Sequence, residues 1–221
     1  MAGWEPAAAG GCLPDGERGV KSSPRRPFSR EKAGGGRPAL ALHVCCGPCA
    51  TVVLERLVPR FTVWPVWYNP NITDPAEHQR RLAAAAEACQ RSGVSLTILP
   101  RGDVRFLEIA RGLENEPEGG QRCELCFALR LGVVARWAAA HACSLLTTTL
   151  TVGPQKDAGQ VHAAGQQAAQ EAGIEWLAET FRKANGFRRS CELARQMGLY
   201  RQDYCGCVFS RLSAYRRRGG L

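Results

Sequence analysis

The chain has 221 residues, 45% of them hydrophobic, eleven cysteines and a net charge of +9, enough for one ordinary domain with a packed core. No apolar run reaches the roughly 18 residues of a membrane span, and residues 1–38 lack the continuous apolar stretch of a secretory signal, so a soluble cytoplasmic protein is expected. In a reducing compartment an odd, heavy load of cysteines points to metal binding or redox chemistry rather than to a fully disulfide-paired scaffold.

Residues 1–37, rich in Gly, Pro, Ala and Arg without hydrophobic periodicity, are expected to be disordered or a doubtful start to the reading frame. A single α/β domain is expected over 38–215. Ala39–Val44 is a buried-strand candidate ending in a cysteine-rich turn, and Pro48–Leu57 reads as a helix. Phe61–Tyr68 is a second strand candidate, marred by Pro65. Asp74-Pro75 supplies a capping acid and a first-turn proline for a helix over Ala76–Arg91. A strand over Val94–Leu99 and helices over Val104–Arg111 and Cys123–His141 follow. Ser144–Thr149 reads as a fourth strand, and Lys156–Ala172 and Glu192–Met197 as helices. This alternation predicts a mostly parallel sheet with helices on both faces. Its site should lie beyond the carboxyl ends of the strands, where the turn after Val44 and the segment after Thr149 both fall.

The charge is uneven. Residues 182–221 hold ten basic and two acidic side chains, which fits either a docking surface for a polyanion or a solvated basic tail.

Three cysteine groups stand out: Cys45-Cys46-Gly47-Pro48-Cys49, Cys123-Glu124-Leu125-Cys126 and Cys205-Gly206-Cys207. Two thiolate pairs supply the four sulfurs of a tetrahedral zinc or a [4Fe–4S] cluster. The 73 residues between Cys49 and Cys123 require the fold to assemble any shared site. Cys46-Gly47-Pro48-Cys49 also spells the dithiol motif of thioredoxin, and Cys123 and Cys126 also fit two buried helix cysteines. Cys89, Cys143 and Cys191 read as small hydrophobes. A disulfide across one residue is strained and easily reduced, so Cys205 and Cys207 suit a redox couple, with metal ligation the alternative.

On these residues the chain resembles the QueH family of epoxyqueuosine reductases. The likeness runs through Leu42-His43-Val44-Cys45-Cys46-Gly47-Pro48-Cys49, Tyr68-Asn69-Pro70-Asn71-Ile72, Glu118-Gly119-Gly120-Gln121-Arg122-Cys123 with Cys126-Phe127 and Arg130-Leu131, and Thr147-Thr148-Thr149-Leu150. It continues through Pro154 with Lys156, Arg182-Lys183 with Gly186, and Leu199-Tyr200-Arg201-Gln202 with Tyr204-Cys205-Gly206-Cys207 and Ser210. The resemblance implies a fold like that of adenine-nucleotide α-hydrolases, the HUP type. It implies a [4Fe–4S] cluster on Cys45, Cys46, Cys123 and Cys126, an additional iron ion for which Cys49 is a candidate ligand, and a redox-active disulfide of Cys205 and Cys207. The implied substrate is tRNA carrying epoxyqueuosine at the wobble position, reduced with electrons from a donor the sequence does not identify. Gly153 and Arg182 depart mildly from the family's usual serine and lysine.

Arg182, Lys183, Arg188, Arg189 and Arg201 are candidate phosphate contacts. Tyr68, Tyr200 and Tyr204 are candidate stacking platforms for an unpaired base, or else core and rim aromatics. Asn69, in the Tyr68–Ile72 segment, is a further candidate for the substrate side, and Lys156 and Asp157 are candidates for lining the pocket. Two other functions compete with the reductase: a metal-free thiol–disulfide oxidoreductase and a zinc-stabilised RNA-binding module.

Overall fold

The computed structural model describes residues 36–217, so nearly all of the expected disordered segment 1–37 lies outside the described residues. Gly36–Leu221 forms one compact unit. At its centre is a five-stranded sheet in the order β3-β2-β1-β4-β5, parallel throughout. The strands are β1 (Ala39–His43), β2 (Thr62–Trp67), β3 (Thr97–Ile98), β4 (Leu145–Thr148) and β5 (Glu175–Trp176).

Helices cover both faces, as expected. On β1 the side chains alternate between them. Leu40 and Leu42 pack with α1 (Gly47–Leu57), α2 (Pro75–Arg91) and α6 (Gly186–Gln196). Ala41 packs with α4 (Gln121–Ala140) and α5 (Ala158–Glu171). A strand buried on both faces must be apolar along its whole length, which is why residues 39–42 read as an unbroken run. Pro65 is tolerated because the ladder to β3 holds only Val66 and Trp67. At position 65 the strand therefore has a neighbour on one side only. Asp74 caps α2 as read, accepting from the backbone N–H of Ala76 at 2.9 Å and Glu77 at 3.1 Å.

The reading of Val94–Leu99 as a full strand is corrected, since only Thr97 and Ile98 pair. The last expected helix begins earlier, at Gly186; the polar run of Phe187-Arg188-Arg189 concealed a helix that buries Ser190, Leu193 and Ala194. Strand β5 and helix α7 (Val208–Arg217) add to the expected set, and α3 (Asp103–Ile109) completes the helices. Among the described residues no helix is long and apolar enough to cross a membrane.

Candidate active site

The three central strands, β2, β1 and β4, end together at the carboxyl end of the sheet, and each hands the chain to a loop that carries polar or thiol side chains. After β1 come Cys45 and Cys46, and Gly47-Pro48 open α1. Gly47 is required there, because a Cβ would lie 2.5 Å from the Ala84 carbonyl oxygen of α2; this close approach seats the cysteine turn against the sheet. The sulfurs of Cys45, Cys46 and Cys49 lie within 4.8 Å of one another, and among the described residues they are the one such group of potential metal ligands. Thr149, just beyond β4, accepts the Cys45 N–H at 2.9 Å and donates to Cys45 Sγ at 3.1 Å. Hydrogen bonds from the Cys46 and Cys49 thiols, helped by Arg130 and Thr149, hold the Cys45 thiol well below the usual range despite its burial. Cys46, which gives its proton to that bond, is pushed up to about 12.

The second pair sits in the first turns of α4. Cys123 accepts from the Gly119 N–H at 3.3 Å and packs on the apolar group of Phe127, Leu150 and Val161, which Cys45 also touches. Cys126 is buried beside Cys207 and Phe106, and burial pushes its thiol up to about 11. Both cysteine groups therefore line the same end of the sheet.

One turn further along α4 stands Arg130, only 2% exposed. It donates to the Asn69 carboxamide oxygen, while its Nε has no protein partner. A buried guanidinium without a carboxylate partner is costly in a protein interior. The thiols of Cys45, Cys126 and Cys205 are the groups its charge favours in ionised form. An anionic thiolate–metal centre would complete this arrangement, and the donor set suits iron–sulfur ligation. The same Arg130, after burial itself, drives His43 down to about 3. His43 is thus a neutral structural ring, its Nε2 donating to the Tyr68 carbonyl at 3.3 Å and its Nδ1 bonded to the Thr148 hydroxyl at 2.7 Å.

A cavity of about 210 Å³ separates the Cys45–Cys49 turn from Cys205, walled by Asn71, Glu118, Arg130, Lys156, Gln202 and Tyr204 among others. Lys156 pairs with Glu118 at 2.6 Å. Burial opposes its charge, yet the Cys205 thiolate and Glu118 raise it above the usual lysine range. A hydrogen bond from Cys207, and then Lys156 and Arg130, bring the Cys205 thiol down to about 5 against the effect of burial. Asn71 Oδ1 and Gln202 Oε1 are buried in this wall without a protein partner.

The expected substrate contacts are distributed over the core, the cavity and the exposed loops. Tyr68 is 7% exposed and packs with Leu131 and Val134, so it is a core aromatic with little ring face to offer a base. Asn69 is committed at both ends, donating to the Val44 carbonyl at 2.9 Å and accepting from Arg130. Asp157 caps α5 through the Gln160 N–H. Arg182 donates to the carbonyls of Gly153 at 3.2 Å and Lys156 at 2.7 Å, which ties down the loop at the cavity rim. Lys183 and Arg201 are exposed, and Tyr204 lines the cavity under Arg81. Arg188 and Arg189 pair with Glu192 and Glu55, and Glu55 belongs to the last turn of α1, the end opposite the cysteine turn.

Arg81, Glu77, Arg130, Thr149 and Gln202 were not singled out as functional from the sequence, although the last three lay in the segments that carry the family likeness. The signal for Arg130 is its spacing, since Cys123, Cys126 and Arg130 share one helix face.

The model of the family described as epoxyqueuosine reductase QueH matches residues 40–213. An epoxyqueuosine reductase of Staphylococcus epidermidis is 32% identical over 194 residues, covering 84% of this chain and 82% of that protein. One from Streptococcus pyogenes is 34% identical, covering 79% and 71%, and one from Haemophilus influenzae is 32% identical, covering 86% and 80%. Among solved structures, the U34-tRNA thiolase NcsA of Methanococcus maripaludis, which carries a [4Fe-4S] cluster, superposes with a TM-score of 0.50 at 12% identity. That match covers 84% of this chain and 68% of the thiolase, a likeness of fold that agrees with the expected α-hydrolase-like architecture. The chain belongs to the QueH family of epoxyqueuosine reductases.

Proposed function

We propose that this oxidoreductase removes the epoxide oxygen of epoxyqueuosine in tRNA, with an iron–sulfur cluster held by cysteines at the carboxyl end of the sheet and with Cys205 and Cys207 as its redox pair. The observation that carries the reading is the cavity itself, which has Cys45 and Cys49 on one wall and Cys205 on another, with the buried cation Arg130 between them.

Reduction of an epoxide to an alkene consumes two electrons and two protons and releases water. Oxidation of one thiolate and one thiol to a disulfide supplies two electrons and one proton, so the Cys205–Cys207 pair covers the electrons of one turnover; the second proton comes from solvent, and an external two-electron donor then regenerates the pair. A cluster bound by Cys45, Cys46, Cys123 and Cys126 supplies one-electron transfer and a Lewis acid for oxygen. The same wall also offers Cys49, either as an alternative sulfur ligand or as a ligand to an additional iron ion, as the family resemblance implies.

The protein's own groups have definable parts. Cys205 holds its sulfur as thiolate, and Cys207 keeps the proton that a leaving oxygen needs. Lys156, paired with Glu118, places a fixed positive charge where negative charge develops on that oxygen. Asn71 and Gln202 present acceptors to donors on the substrate. Lys183 and Arg201, both exposed, suit phosphates of the tRNA backbone. A tRNA substrate places the enzyme in the cytoplasm.

Iron, zinc and acid-labile sulfide analysis of anaerobically purified protein, with a visible spectrum, tests the reading against its rivals. A brown protein with about four irons and four sulfides per chain, or somewhat more iron if an additional ion is kept, is the expected result. Stoichiometric zinc without colour would replace it with an RNA-binding module, and a metal-free dithiol with a thiol–disulfide oxidoreductase.

A further inference from the structure

The segment that brings Cys205 to the cavity and buries Cys207 behind it lies between α6 and α7 and belongs to no helix or strand until Val208. It is anchored from α2. Arg81 is 2% exposed and distributes its donors over three partners: Nε to Glu77 Oε1 at 2.6 Å, Nη1 to the Cys205 carbonyl at 2.9 Å and Nη2 to the Tyr204 carbonyl at 3.1 Å. Its guanidinium also lies over the Tyr204 ring, 4.9 Å from the centroid.

Glu77, 1% exposed, is saturated in turn. Its second oxygen accepts from Arg80 at 2.6 Å and from the Tyr200 hydroxyl at 2.8 Å. The guanidinium is thus fixed in orientation before it meets the loop. Between the two cysteines Gly206 has φ +113, and a Cβ there would stand 2.8 Å from Arg81 Nη1 and 3.0 Å from Ile72 Cγ1. Only glycine accepts that backbone conformation without strain, and only glycine leaves room for the guanidinium.

We infer that Arg81, seated on Glu77, is a positioning residue that fixes the Cys205–Gly206–Cys207 turn in the geometry its thiol–disulfide cycle requires. A planar fork is needed for this. Lysine in its place keeps the charge opposite Glu77 but, as a point charge, cannot hold two successive carbonyls in one plane. With the Tyr204 and Cys205 carbonyls pinned on the α2 side, the Cys205 thiol is held at the cavity and its separation from Cys207, buried beside Cys126 and Phe106, is set. A displacement of about 1 Å in such a constellation costs on the order of a hundredfold in rate. The inference rests on the reading of Cys205 and Cys207 as a redox pair.

The test compares wild type with Arg81→Lys and Gly206→Ala, each as the full chain purified anaerobically with its metal. Gly206→Ala disturbs the same turn while leaving the buried pair charged, so it decides the matter if Arg81→Lys does not fold. Three quantities are read: the dithiol–disulfide ratio of Cys205 and Cys207 against a graded thiol buffer, by trapping and mass spectrometry; kcat and KM on epoxyqueuosine-tRNA; and iron content. The expected result is a shift of about tenfold or more in the thiol–disulfide equilibrium and a fall of about ten- to a hundredfold in kcat, with KM and iron unchanged. Wild-type equilibrium and kcat in both variants, beside a lowered thermal midpoint, would show an ordinary structural ion pair and overturn the inference. Loss of iron would overturn it too, by moving the turn into the metal site. A wild type whose Cys205 and Cys207 never interconvert would fail the redox-pair reading itself, a result distinguishable because it needs no variant.

Discussion

Thr149 binds Cys45 twice through one hydroxyl, accepting its backbone N–H at 2.9 Å and donating to its sulfur at 3.1 Å. The end of β4 thereby fixes the backbone of the first cysteine after β1 and adds one donor to a sulfur whose charge is favoured mainly by Cys46 and Cys49. Thr149→Val keeps the volume and removes both bonds, leaving a part-buried N–H unpaired at a cost of up to about 1–3 kcal/mol. The thermal midpoint should fall by several degrees, and the visible absorption of the iron-loaded protein should weaken. An unchanged spectrum would show that the threonine is only a strand end.

Serine at Cys123, which packs in the same apolar group as Cys45, or at Cys126, which packs beside Cys207, removes a sulfur ligand and should strip iron and bleach the protein. Serine at Cys205 or Cys207 should keep full iron content and tRNA affinity while abolishing multiple turnover. The two classes separate by colour and metal analysis on the same preparations.

The Cys205 thiol, brought down to about 5 by its hydrogen bond from Cys207 and by Lys156 and Arg130, should react with iodoacetamide at an almost constant rate from about pH 9 to pH 6. Thiolate is the reactive form, and a depressed acid keeps it down to the folded value. Below about pH 5 the rate should drop tenfold per pH unit. Lys156→Met removes one supporting cation and should move the break to higher pH. Mapping the alkylated residue across pH checks both statements.

Affinity for tRNA should fall steeply with salt, because phosphate contacts release counterions. Lys183→Glu and Arg201→Glu remove exposed cations, and each should flatten the slope of log affinity against log salt by roughly one unit. Arg188→Glu and Arg189→Glu act on side chains already paired with Glu192 and Glu55, and should have the smaller effect.

The fold was legible where burial forces composition. The buried run in β1, the Asp74-Pro75 start of α2 and the Ala-rich faces of α2 and α4 each follow from local physics. Two-residue strands such as β3 and β5 carry no periodicity, and the arginines at the start of α6 hid its helical face. The cysteine groups declared themselves through spacing alone. Their supports did not, because Glu77-His78-Gln79-Arg80-Arg81 reads as a solvated helix turn, while in the fold Glu77 and Arg81 are buried and paired one turn apart on α2. Long-range partners such as Thr149 for Cys45, 104 residues apart, are set by strand order, which no local pattern encodes.

The most direct measurement is anaerobic turnover of tRNA bearing epoxyqueuosine, with the metal-loaded protein and a low-potential reductant, followed by mass analysis of the released nucleosides. The account predicts conversion to queuosine, lighter by one oxygen atom, over many turnovers per chain, and no conversion with Cys205→Ser. Iron-loaded protein that binds the tRNA and leaves epoxyqueuosine intact would contradict it.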